Sequence, residues 1–185
     1  LLPVFSRSDD VPAQIHQGPL QVDGDFTPDG LLTVIFGDLT VGGQVSTQEV
    51  AGFDGNARLI VFGDLRCASV VNDWASLLIV SGHLHARDYV FAAREDSGMV
   101  IGQDFVTPVF FGHDIWANVG GATRIDMGFG YSLPLGTGDE VDLTRLVRPK
   151  QDWRAMVQHL QLKGGSAQED LEDAVEQRLA ETGSL

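Results

Sequence analysis

The sequence predicts a mainly β protein, a short single-stranded parallel β-helix (a solenoid of roughly 19–20-residue coils), followed by a C-terminal α-helical hairpin. Three observations predict it. Four segments read in parallel, VIFGDLTV from Val34, IVFGDLRC from Ile60, IVSGHLHA from Ile79 and VIGQDFVT from Val100, at offsets of 26, 19 and 21 residues. The 22 glycines punctuate valine-rich and leucine-rich runs instead of clustering in a linker, which asks for many tight turns between short strands. The runs are too short and too closely spaced for the crossover helices that a βαβ fold needs. One coil cannot bury its apolar side alone, so the repeat implies stacking.

Taken in order, LQVDGDF from Leu20 is a fainter copy, with Val22 and Phe26 at the separation of Ile35 and Leu39 and only 13 residues before them. That short offset predicts an incomplete first coil or cap. In the four clear copies the alternation of strands places Leu39, Leu65, Leu84 and Phe105 inward. Val41, Cys67, Ala86 and Thr107 then point inward too, and Thr40, Arg66, His85 and Val106 outward. A second short strand follows in each unit, at 44–47, 69–71, 89–92 and 108–111. AGFDGNA from Ala51 fills the long first interval and predicts a loop extruded from one corner. Beyond Phe111 the signature fades, although Ile115, Ala117 and Val119, then Ile125, Met127, Phe129 and Tyr131, still alternate as strands. GTGDE from Gly136 reads as a turn.

The pattern changes at Pro149, which divides a solenoid over 1–149 from a hairpin over 150–185. Asp152 caps a helix with Trp153, Met156, Val157 and Leu160 on one stripe, stopped by Lys163-Gly164-Gly165. Ser166 and Glu169 form a capping box for a second helix whose stripe runs Leu171, Ala174, Val175, Arg178 and Leu179. The hairpin either caps the last coil or presents its stripes to a partner.

Composition narrows the function. A chain of 185 residues that is 43% hydrophobic has the means to bury a core. The net charge of −14, from 26 acidic and 12 basic residues, repels phosphate backbones, so neither nucleic acid nor an anionic membrane is an expected partner. No long apolar run suggests a membrane span. The lone cysteine, Cys67, allows no internal disulfide and suits a cytoplasmic location. Its inward position predicts a buried, unreactive thiol.

The repeated corners Gly24-Asp25, Gly37-Asp38-Leu39, Gly63-Asp64-Leu65 and Gly82-His83-Leu84 resemble the bactofilins, bacterial polymer-forming β-helix proteins, and other bacterial β-solenoids of that style. The resemblance covers roughly 20–114. It implies a right-handed β-helix with a structural role and supplies no catalytic residues. The chain's repeat is looser than that family's, and the C-terminal hairpin is not part of the family's pattern.

Three groups of polar residues stand out. The outward column Asp38, Asp64, His83 and Asp104 would stack at about 4.8 Å, a spacing that suits Asp hydrogen-bonded to its own corner backbone or, less simply, a bridging cation. His83 and His85, with Asp64, Arg66 and Asp88 nearby, read as surface residues or as an acid–base or metal-binding pair. His113, Asp114, Trp116 and Asn118 lie where the repeat fades, and aromatics beside such polar groups suit a sugar-binding groove. None completes a catalytic motif, a metal motif or a cofactor fingerprint, so no cofactor is expected. The expected function is a non-catalytic structural or protein-interaction module, acting through a protein partner or self-association. The rival readings are a small carbohydrate-active or acyl-transfer enzyme and an acidic immunity protein.

Overall fold

A computed structural model describes residues 13–47, 49–50, 53–54, 57–129, 135–136, 158, 161 and 171–182. The protein is mainly β, and its parallel sheets form a solenoid of about five turns. Each coil carries three short strands, so the stack has three flat faces. The apolar–Gly-Asp–apolar segment is itself two strands meeting at a corner.

The first face stacks β1 (Ala13–Gln17), β3 (Leu32–Phe36), β8 (Arg58–Val61) and β10 (Leu77–Val80) in parallel register. It continues through the ends of β11 (Leu84–Ile101) and β12 (Phe105–Val119) to β14 (Leu135–Gly136). The second face stacks β2 (Leu20–Val22), β4 (Leu39–Val41), the start of β9 (Leu65–Asp73), the starts of β11 and β12, and β13 (Thr123–Phe129). The third face begins at Phe26, bridged to Val45, and stacks β5 (Gln44–Ser46) with the later parts of β9, β11, β12 and β13.

Inward residues follow the alternation read from the sequence. Leu39, Leu65, Leu84 and Phe105 are fully buried, and Val41, Cys67, Ala86 and Thr107 are buried beside them. Ile35, Val61, Val80 and Ile101 close the same core from the first face, and Val45, Val70, Val90 and Phe110 from the third. Thr40, Arg66 and His85 are exposed on the outer side of the second face, with Val106 half-buried.

The coil from Ala13 to Phe26 reaches all three faces, which corrects the expectation of an incomplete first coil or cap. Leu20 pairs with Leu39 and Val22 with Val41, and Gly18 donates its N–H to Phe36 O at 2.9 Å. Gly18-Pro19-Leu20 therefore stands where later coils have Gly-Asp-Leu, and Pro19 disguises the motif. The spacing of Val22 and Phe26 spans a different corner. Gln14 and His16 occupy the inward positions equivalent to Thr33 and Ile35, so the first described coil has a partly polar interior side.

At the other end the stack gains a coil where the signature had faded. Thr123 pairs with Phe105 and Ile125 with Thr107, and Gly120-Gly121-Ala122 forms the corner. The long interval keeps its register, because Leu32 still pairs with Arg58 while β6 (Glu49–Val50) and β7 (Phe53–Asp54) form a small antiparallel pair off the stack. The return from third to first face is pinned by a buried polar chain. Thr47 Oγ1 donates to Asn72 Oδ1 at 3.0 Å, Asn72 Nδ2 to Gly98 O at 3.1 Å, and Ser76 Oγ to Thr47 O at 3.1 Å. The partners in this chain lie in different coils, so it ties them together.

The helix α1 (Leu171–Thr182) lies on the side of the solenoid. Ala174 and Val175 pack on the outer side of the third face, against a cluster that includes Val71, Tyr89, Phe91, Val109 and Phe111. This outer side of the third face is itself apolar, and α1 covers part of it. The first helix expected for the hairpin lies outside the described residues except for Gln158 and Gln161. No helix among the described residues is long and apolar enough to cross a membrane.

The corner glycines set how closely coils approach. A β-carbon at Gly63 would lie 2.6 Å from the backbone of Gly37 and from Asp38 Oδ1. At Gly24, by contrast, nothing lies within 4 Å. Gly63→Ala is expected to cost about 2 kcal/mol or more in chemical denaturation, as overpacking against backbone does. Gly24→Ala is expected to be neutral within about 0.5 kcal/mol in the same measurement.

Candidate functional site

The outward acidic column resolves into a ladder of hydrogen bonds. Asp38 Oδ1 accepts from Asp64 N at 2.8 Å, and Asp64 Oδ1 from His83 N at 2.9 Å. His83 Nδ1 accepts from Asp104 N at 3.3 Å, and Asp104 Oδ1 from Ala122 N at 2.8 Å. Each side chain thus serves the backbone of the next coil, not its own. A strand ladder leaves corner N–H groups without partners, and a short acceptor projecting one coil along meets them. Asp25 Oδ1 does the same for Gln44 N at the neighbouring corner, at 2.8 Å. The second oxygen of Asp64 accepts from Arg66 at 2.7 Å. His83 takes a ladder position because its Nδ1 is an acceptor at nearly the reach of an Asp oxygen.

His85 pairs in register with Arg66 on the exposed second face, and Asp88 holds Arg87 at 3.0 Å. Among the described residues no three His, Cys, Asp or Glu side chains gather closely enough to hold a metal ion. Cys67 is a free, buried thiol. Burial, reinforced by the negative charge of Asp88, pushes its pKa up to about 12, which keeps it protonated and unreactive.

The third group separates at a corner. His113 pairs with Ala93 at the end of the third face, while Trp116 and Asn118 lie on the first face, opposite Gly98 and Val100. The side chains of His113 and Asp114 lie outside the described residues. The indole of Trp116 sits against Gly98, where a β-carbon would collide with the ring.

Trp116 leads to the feature that the sequence reading missed, the outer side of the first face. Its central outward column is Ile15, Val34, Ile60, Ile79 and Val100. Beside it Phe36 and Phe62 stack with centroids 5.0 Å apart. Among the described residues the exposed large apolar side chains are Ile15, Phe36, Phe62, Trp74 and Trp116, and all but Trp74 are on this face. Trp74 stands on the turn leading into it. Among the described outward residues of the face, Arg58 alone is charged. The signal was present in the sequence, since VIF, LIVF and LIV are apolar at successive residues instead of alternating. Such runs mean strands apolar on both sides.

The three walls therefore differ. The second is polar, the third is apolar and carries α1, and the first is apolar and exposed at Ile15, Phe36, Phe62 and Trp116. Comparison with protein-family models, with curated proteins and with solved structures yields no match for this chain.

The turn before β10 holds backbone strain beside that open wall. Trp74 and Ala75 have φ of 53° and 55°, a region costly for L-residues, and Trp74 N donates to Asp73 Oδ1 at 2.8 Å. Ala75→Gly is expected to raise stability by about 1 kcal/mol, seen as a melting temperature a few degrees higher. The ladder gives a pH signature. The His83 N–H holds the Asp64 carboxyl below its ordinary value of 3.8, opposed by burial and aided by Arg66. This stabilisation is complete above 3.8 and is lost as pH falls below it through the lower folded value. Asp64→Asn keeps an oxygen acceptor without the charge. Its melting temperature should fall below wild type above pH 3.8 and converge with it at lower pH.

Proposed function

We propose that this protein is a non-catalytic interaction module that docks a partner protein on the outer side of its first face. One observation carries the reading: among the described residues, four of the five exposed large apolar side chains gather on one flat wall whose outward residues include no acidic one, on a chain of net charge −14. Scattered apolar residues need no explanation, but a contiguous patch rimmed by polar groups marks a binding surface. The patch lies on a parallel sheet hydrogen-bonded on both sides along most of its length, so it is rigid before a partner arrives, which favours affinity.

The polar candidates weigh toward the same reading. His83, Asp38, Asp64 and Asp104 are engaged in holding corners together, and Asp88 in an ion pair. The buried chain of Thr47, Asn72 and Ser76 is satisfied within the protein. The bactofilin resemblance favours a structural role of the same broad class. End-to-end polymerisation would have to bury the polar Gln14 and His16 of the first coil, so the flat wall is the better place for association.

The test is Ile60→Asp with Ile79→Asp, two outward positions of the open wall. In extracts of cells that make the protein, the wild-type chain is expected to elute in a complex larger than its 20.0 kDa. The double variant, with wild-type circular dichroism, is expected to elute free. A wild-type chain that itself elutes free, or a folded variant that stays in the complex, would sink the reading.

A further inference from the structure

We infer that the partner element received by the open first face is a basic amphipathic helix of another protein, laid along the stack axis. This rests on the docking reading above and adds the shape and charge of the occupant.

Shape comes first. The sheet's backbone groups are used between coils, so a strand has nothing to pair with on the flat wall, and side chains must make the contact. The outward columns at the first, third and fifth positions of each strand span about 13 Å, close to the ~10–12 Å width of a helix. The six rungs from β1 to β12 span about 24 Å, which a helix of about 16 residues covers. The protein already solves the same problem once. On the third face a stacked pair, Phe91 and Phe111 at 5.4 Å, belongs to the cluster that α1 covers with Ala174 and Val175. The first face carries the equivalent pair, Phe36 and Phe62, both exposed and with no helix over them among the described residues.

Charge decides the rest. The corner beside Phe36 and Phe62 carries Asp38, Asp64 and Asp104, each with one oxygen committed to the ladder; the second oxygen of Asp64 is paired with Arg66, that of Asp104 lies 3.6 Å from His83 Nδ1, and the corner keeps more carboxylates than cations. That makes an acidic rim along one edge of an apolar strip. Lysine or arginine on the flank of a docked helix would lie over this rim, and attraction to a chain of −14 would speed the encounter. A second copy of this chain would instead bring two acidic rims together, so it is the poorer occupant.

The probe is a synthetic Leu/Lys peptide of about 16 residues with its leucines in a single helical stripe. Two controls accompany it: the same composition with leucines spread around the helix, and a Leu/Glu peptide with the same stripe. Binding to the full chain is read by anisotropy of labelled peptide. The striped Leu/Lys peptide is expected to bind about tenfold or more tighter than the spread one, and the Leu/Glu peptide much more weakly. Phe62→Ser, at a side chain 51% exposed, serves beside Ile60→Asp with Ile79→Asp in case the double variant does not fold. Either should weaken the striped peptide while leaving the spread one unchanged. Equal binding of the two Leu/Lys peptides would overturn the inference, as would unaltered binding to the folded variants. So would a chain that is dimeric in isolation and becomes monomeric in those variants. If the peptide fails but the cellular complex persists and still needs Ile60 and Ile79, docking stands and the basic helix falls.

Discussion

Parallel coils hydrogen-bond to one another only if their backbones run about 4.8 Å apart through the corners as well as along the strands. A side chain at the inside of a corner blocks that approach, and a corner without a strand partner leaves N–H groups unsatisfied. The Gly-Asp pair answers both demands at once. At Gly63 the neighbouring backbone already occupies the place of a β-carbon, and Asp38 reaches one coil along to accept the N–H of Asp64. Everything else in the solenoid depends on this joint. It sets the rise, and the rise brings the inward leucines and valines of successive coils into one core.

The same joint explains the tolerance of the repeat to irregular length. Coil length varies from 18 to 26 residues between successive ladder positions, yet the register is kept. Extra residues leave at the return corner, where the buried Thr47, Asn72 and Ser76 link coils through side chains instead of a regular ladder. Acceptors can also be exchanged, since His83 holds a place otherwise taken by Asp. Asp38, Asp64, His83 and Asp104, which form one column in the linear reading, all serve this ladder. Asp and His at fixed offsets are what an acceptor ladder needs, just as they are what a metal site needs, and only the direction of the side chain separates the two.

A three-sided stack has three outer walls, and an apolar wall must be covered or used. The third wall is covered by α1, and the second is polar. The first remains apolar and rigid, edged by acid at one corner and by the strained Trp74 turn at the opposite end of its strands. Backbone strain beside an exposed tryptophan fits a contact surface, where a rigid aromatic anchor contributes most to binding.

The sequence by itself determined the solenoid class, the inward columns and the burial of Cys67. Each follows from strand alternation and from a corner motif that repeats in the chain, and both are local properties. It misplaced the first coil because Pro19 stands where Asp does elsewhere, and it read the strand of the last coil at Ile125, Met127 and Phe129 without its corner, because Gly120-Gly121 lacks the Asp. Local pattern carries no register between coils, and only hydrogen bonding from Gly18 to Phe36, or pairing of Thr123 with Phe105, supplies it. Tertiary structure alone decided which apolar residues remain outside. The runs at Val34, Ile60 and Ile79 show strands that are apolar on both sides. Whether an outer side is buried depends on where a helix distant in sequence comes to rest, and α1 rests on the third face.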